Sequence, residues 1–177
     1  FQKISDCNNF FIKGSEFNLT SYFQSEELAI KYEEGSMLIV RLAPTDYHRF
    51  HFPVAGPVSK TQLIDGALYS VSPIALDNSL EIFCQNKRTL CTQKSEKYGD
   101  VLYSDVGATA VGTIIQTYTP NIPLEKGAEK GYFAFGGSTV VLFFEKGKIK
   151  FDQDLIDNTK NKIETAVLMG ETIGQKP

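Results

Sequence analysis

The chain has 177 residues, enough for one domain with a sizeable core, and its 42% apolar and 22% charged residues have the profile of a globular protein. A formal charge of −3 gives no bulk electrostatic reason to bind nucleic acid. No stretch approaches the about 20 apolar residues of a spanning helix, and no signal-peptide pattern is present, so membrane contact is expected to be peripheral or to reside in other sequence. Trp is absent, but 13 Phe and 8 Tyr supply large apolar surface for a core. Cys7, Cys84 and Cys91 form no CxxC pair and no metal-ligand spacing, and read as buried thiols of a reducing compartment. The first residue is Phe1 rather than Met, as expected of a processed product or of a chain whose upstream sequence is left out.

In chain order, the first helical pattern covers 20–32. Tyr22, Phe23, Leu28 and Ile30 provide its apolar contacts and Gly35 stops the chain just beyond. Strands are predicted at 37–42, 68–71, 89–92, 101–104, 112–117, 131–135 and 139–144, separated by turn residues. Tyr98-Gly99-Asp100 and Glu145-Lys146-Gly147-Lys148 read as hairpin connections. Gly107 and Gly112 interrupt otherwise strand-like sequence, which marks either a bend or the lining of a site. A second helix is predicted at 152–162, from Leu155, Ile156, Thr159 and Ile163. There is no internal repeat and no low-complexity linker. The expected fold is mainly β (α+β), a barrel-like or sandwich domain with a few short helices, one near each end of the chain.

Only two histidines occur, His48 and His51, so all near-neutral titration is concentrated at one spot. In a strand they would project to opposite faces; in a single helical or 3₁₀ turn they would share one. Pro44-Thr45-Asp46 before them and Pro53 and Gly56 after them favour the turn. Three readings stay open. A zinc site would be incomplete, because no Cys or HExxH spacing completes it. A structural pair would be satisfied by Asp46 and Arg49. A pair of general acid–base groups would act at separate steps.

Gly136-Gly137-Ser138-Thr139 stands directly before an apolar run. It reads either as a turn opening a strand or as a reactant. A serine hydroxyl can attack the preceding carbonyl when the residue before it is small and conformationally free, as Gly137 is, and a neutral imidazole is a suitable base. Elimination from the resulting ester leaves dehydroalanine, which tautomerises and hydrolyses to a pyruvoyl group and ammonia.

Together these segments resemble the phosphatidylserine decarboxylases, pyruvoyl enzymes that cleave themselves. The resemblance runs from about Lys13 to Gly174. The cleavage motif is matched by Gly136-Gly137-Ser138-Thr139, and the DYHRxHxPxxG motif by Asp46 through Gly56. Supporting patterns are IKGxxFNL from Ile12, LYSVSP from Leu68, Asn86-Lys87-Arg88, and VGATxVGxI from Val106. The resemblance implies a single catalytic domain over 1–177, cut after Gly137 into a β chain of 1–137 and an α chain of 138–177, with Ser138 as the pyruvoyl group. His51 would be the base for self-processing, His48 the group handling the proton at the substrate Cα, and Asp46 a supporting residue that orients His51. The implied reaction converts phosphatidylserine to phosphatidylethanolamine and CO2 through a Schiff base on the pyruvoyl group, with no metal and no nucleotide. Implied partners are phosphatidylserine in a membrane, the two cleaved chains for each other, and a second copy in a homodimer. Peripheral attachment to the cytoplasmic face of a bacterial cell membrane would come from sequence upstream. The family's processing carboxylate lies in a VD(G/A) segment that Asp6 does not match, so that segment and the membrane-docking part are expected to be absent from this chain. Two other readings remain: a soluble pyruvoyl decarboxylase of a free amino acid, and a processing-deficient, non-catalytic β-domain.

Overall fold

Val140-Val141-Leu142-Phe143-Phe144 is apolar at every position, the pattern of a strand covered on both faces. The computed structural model describes residues 2–3, 9–12, 15–78, 81–109, 113–134 and 138–177. It places this run in the Ser138–Phe144 strand, inside a six-stranded antiparallel sheet. The order across that sheet is Gln2–Lys3, Ser36–Leu42, Ser138–Phe144, Gly99–Val106, Arg88–Ser95 and Gln62–Ile64. Val141 stands opposite Ile39 on one edge and Ser104 on the other. Both edges of the strand are therefore hydrogen-bonded.

Alternation sorts the side chains into two cores. Val141 and Phe143 join Met37, Leu90, Leu102 and Val106 on one face. The helices Leu19–Phe23 and Glu26–Tyr32 cover it, with Tyr22, Phe23 and Tyr32 ringed about Phe143 at centroid distances of 5.3, 4.8 and 6.3 Å. Val140, Leu142 and Phe144 join Leu38, Cys91, Val101 and Tyr103 on the other face. There Phe50 and Phe133 pack from a three-stranded sheet ordered Thr113–Gln116, Glu129–Ala134, Arg49–His51. A helical layer, a large sheet and a small sheet make a mainly β, sandwich-like domain, in agreement with the expected fold class. Phe50, Phe52, Phe143 and Phe144 are all core residues.

Local chemistry accounts for the helix ends. The pattern at 20–32 forms two helices, because Gln24 adopts a left-handed conformation (φ 51°) and Ser25 starts a new cap by accepting the Leu28 N–H at 3.2 Å. Asn18 caps the first helix through the Ser21 N–H at 2.7 Å. Near the C-terminus a helix spans Gln153–Lys160, after Asp152. The turn at 96–98 is a true hairpin, with Gly99 at φ 71°. The turn at 145–148 also forms, but the strand after it, Lys150–Phe151, pairs with Gly174–Gln175 instead of folding back.

The predicted strand at 68–71 is absent. Leu68 and Tyr69 are exposed, and the Tyr69 backbone is occupied by the Asn86 side chain, which accepts from its N–H at 2.9 Å and donates to its carbonyl at 2.8 Å. Asn86 also donates to the Gly107 carbonyl at 2.8 Å, so one buried amide joins three of the sequence motifs. Arg88, 1% exposed, donates to the carbonyls of Ser21, Tyr22, Cys84 and Asn86, tying the first helix to the sheet. The Gln62–Ile64 strand and the helices Pro73–Asn78 and Glu81–Gln85 have no counterpart in the sequence reading.

Phe143→Ala would empty the aromatic cluster that seats the helices on the sheet. The expected loss is about 3–5 kcal/mol of unfolding free energy, measured by urea denaturation.

Candidate active site

Two segments cross between the sheets at the same end of the domain. The chain leaves the large sheet at Leu42 and enters the small one at Arg49; it leaves the small sheet at Ala134 and re-enters the large one at Ser138. Ser138 is the Cα partner of Leu42, and the Phe133 N–H donates to the His48 carbonyl at 3.0 Å. Pairing on both sheets thus brackets His48 and Ser138 between the same two anchors. Gly136 and Gly137 lie outside the described residues, as do Cys7, Asp6 and Gly112.

Ser138 is completely buried and its Oγ has no hydrogen-bond partner among the described residues. It shares a face of its strand with Val140 and Leu142, which puts its hydroxyl on the inter-sheet side. His48 Nε2 is likewise buried and unpartnered among the described residues. Its Nδ1 lies 2.6 Å from the Asp46 carbonyl oxygen. A carbonyl only accepts, so Nδ1 carries the proton and the neutral ring presents a lone pair at Nε2.

The two histidines do not share a helical turn. The turn sits earlier, at 44–46, and Arg49–His51 is a strand. Pairing with Glu129–Ala134 stretches this segment, and that outweighs the turn preference of Pro44-Thr45-Asp46. Along it Phe50 is buried and Arg49 exposed, and His51 follows the alternation onto the side of Arg49. There His51 Nδ1 lies 2.8 Å from the Gly127 carbonyl oxygen and Nε2 3.1 Å from the Tyr47 hydroxyl. Glu129, the Cα partner of His51, is held below the usual carboxylate range by the Thr117 hydroxyl and by Arg49. The Asp46 carboxylate accepts the Ala43 N–H at 2.7 Å, so it closes the turn, and its own carbonyl orients His48 rather than His51.

A buried ion pair adjoins the site. Asp105 and Lys130 are both fully buried and bonded to each other. Asp105 Oδ2 also accepts from Thr89 at 2.6 Å and Gln116 at 2.7 Å, and the ammonium lies 4.7 Å from the Tyr103 ring centroid. Asp105 is the partner of Val140, which makes it a diagonal neighbour of Ser138 on one face, at about 7–8 Å between backbones. Its Oδ1 has no partner among the described residues. The sequence reading missed Asp105, Lys130 and Tyr47. An acid inside the apolar run Val101-Leu102-Tyr103-Ser104-Asp105-Val106 was the available signal for the first.

Neither described cysteine is poised as a nucleophile: burial pushes the Cys91 thiol up to about 11 and raises that of Cys84. Among the described residues no three His, Cys, Asp or Glu side chains gather as a metal site.

The family model described as phosphatidylserine decarboxylase matches residues 1–175. The chain is 53% identical to the phosphatidylserine decarboxylase proenzyme of Fusobacterium nucleatum over 176 residues, covering 99% of this chain and 59% of that protein. The proenzyme of Clostridium botulinum (strain Eklund 17B) is 52% identical over 165 residues, covering 93% and 56%. That of Clostridium novyi is 51% identical over 176 residues, covering 99% and 60%. The chain therefore spans between 56% and 60% of the length of these relatives.

Asp105→Ala would leave the Lys130 ammonium buried without its counter-ion, at an expected cost of about 3–5 kcal/mol. The paired replacement Asp105→Leu with Lys130→Met removes both charges and should recover most of that loss, as urea unfolding of the two variants would report.

Proposed function

The chain belongs to the phosphatidylserine decarboxylase family, and on that premise we propose that it cuts itself between Gly137 and Ser138, turns Ser138 into a pyruvoyl group, and converts phosphatidylserine to phosphatidylethanolamine and CO2. The observation that carries this reading is the Ser138 hydroxyl. It is buried where the chain crosses between two sheets, with no partner among the described residues. A buried, unsatisfied hydroxyl costs free energy, and a chemical role is a reason for a fold to retain one.

In self-processing, neutral His51 takes the Ser138 hydroxyl proton at Nε2 as Oγ bonds to the Gly137 carbonyl carbon. His51 stands on the Arg49 side of its strand and Oγ on the inter-sheet side, so the step requires the His51 end of that strand to turn inward first. The Gly137 C–N bond then breaks, leaving an ester and the free Ser138 amine. Removal of the Ser138 α-proton expels the Gly137 carboxylate and leaves dehydroalanine; water converts its imine tautomer to the ketone and releases ammonia. The small, enclosed Ser138 position suits a group of this size, and the chemistry it would supply is that of an electron sink for loss of CO2. His48, with Nδ1 fixed and Nε2 free in the interior, takes up a proton at Nε2 and passes it to the substrate carbon in place of the carboxylate. Asp46 keeps that imidazole in its tautomer through a backbone carbonyl.

The proposed α chain, 138–177, begins with a strand gripped on both edges by strands of the proposed β chain, 1–137. The two products therefore stay together after the cut. The same proposal includes a bilayer lipid as substrate, peripheral contact with the cytoplasmic face of a bacterial cell membrane, and a homodimer, which sedimentation of the processed protein would report. Among the described residues no helix is long and apolar enough to cross a membrane.

Intact mass of the purified protein should show two chains under denaturing conditions and one native complex, the smaller chain beginning with a pyruvoyl group. Ser138→Ala should remain a single chain. His48→Ala should still be cut yet lose about 10²-fold or more of the CO2 released from liposomal phosphatidylserine, and an uncut His48→Ala protein would contradict the division of roles. Release of CO2 from a free amino acid but not from liposomes would overturn the lipid substrate.

A further inference from the structure

Tyr47 lies four residues before His51, and the two rings stack at 5.9 Å with an interplanar angle of 16°. Its hydroxyl is 3.1 Å from His51 Nε2. The His51 Nδ1 proton is committed to the Gly127 carbonyl, so the neutral ring offers its lone pair at Nε2, and the Tyr47 O–H donates to it. The nitrogen that a base must use is already engaged.

Nothing in the packing requires this bond. Tyr47 is 54% exposed, and its hydroxyl would be equally well served by water. The Gly127 carbonyl already orients the imidazole without it. Glu129, the carboxylate across the strand, is tied up by Arg49 and Thr117. His48 makes the contrast plain: its Nδ1 is fixed in the same way by a carbonyl, but its Nε2 has no partner among the described residues.

We propose that Tyr47 is a latch on His51. It is a positioning residue that occupies the basic nitrogen in the uncut chain, so that self-cleavage waits for its hydroxyl to let go. The inference rests on the reading of His51 as the processing base. Releasing the bond beforehand removes a ground-state stabilisation that the transition state cannot keep, which accelerates the step.

Tyr47→Phe retains the stacked ring and deletes only the donor. In a Ser138→Ala background, which cannot cut, diethyl pyrocarbonate modification mapped by mass spectrometry reads the availability of each imidazole nitrogen. Tyr47→Phe should speed modification at His51 by about two- to tenfold, the weight of one neutral hydrogen bond, and leave His48 unchanged. The ¹⁵N resonance of His51 Nε2 should move with it. With Ser138 restored, Tyr47→Phe should cut itself faster by a similar factor and yield the same two chains. Unchanged reactivity at His51 would sink the latch and leave the role of His51 standing. Raised reactivity with cleavage no faster would also overturn it. Full-rate cleavage by His51→Ala would remove the premise itself.

Discussion

Seven consecutive residues, Ser138–Phe144, are buried, the five from Thr139 to Phe143 are paired with a strand on each edge, and the remaining layers are arranged around that constraint. A strand so enclosed has no freedom to slip, because a shift of one residue would exchange Phe143 with Phe144 and turn each core inside out. Its first residue, Ser138, is held by pairing with Leu42 on one edge. Ser138 inherits a defined position from Thr139 and the five apolar residues that follow it, and the chain immediately before it has to reach the small sheet.

Polar groups inside this frame fall into two sorts. Arg88 and Asn86 spend their hydrogen bonds on backbone carbonyls and amides, closing the helical layer and the irregular 65–72 segment onto the sheet. They are satisfied, and their effect is structural. Ser138 Oγ, His48 Nε2 and Asp105 Oδ1 form the other sort, buried atoms without partners among the described residues. Desolvation of such atoms is costly, and Lys130, Thr89 and Gln116 offset it for only one oxygen of Asp105. Ser138, Asp105 and His48 come from the central strand, its neighbour and the crossing beside it, so these costs collect at one end of the domain.

The strands that could be read in the sequence were those with long apolar or β-branched runs. Predicted 37–42 and 139–144 each fall one residue short of the observed strand, while 89–92 and 101–104 are the middles of longer ones. Burial on both faces leaves a compositional trace that needs no knowledge of neighbours. Leu68-Tyr69-Ser70-Val71 carries the same trace and is not a strand, because the side chain of Asn86, 17 residues away for Tyr69, takes the hydrogen bonds that a neighbouring strand would have supplied. The histidine pair shows the same limit. Local turn residues favoured a shared face, but pairing with 129–134 drew the segment out and sent the two imidazoles to different partners.

The amino-acid sequence by itself determined the β-rich class, the two helical regions and the candidates for the proposed chemistry, since a Gly-Gly-Ser before an apolar strand and two close histidines are chemical facts independent of folding. Only the tertiary structure decided which imidazole nitrogen is occupied, which carboxylate lies diagonal to Ser138, and which of the two faces receives its hydroxyl. Those outcomes depend on cross-strand register between segments far apart in the chain, such as Ser138 with Leu42, 96 residues away. Register is set by the sum of contacts over both sheets rather than by any local run of residues.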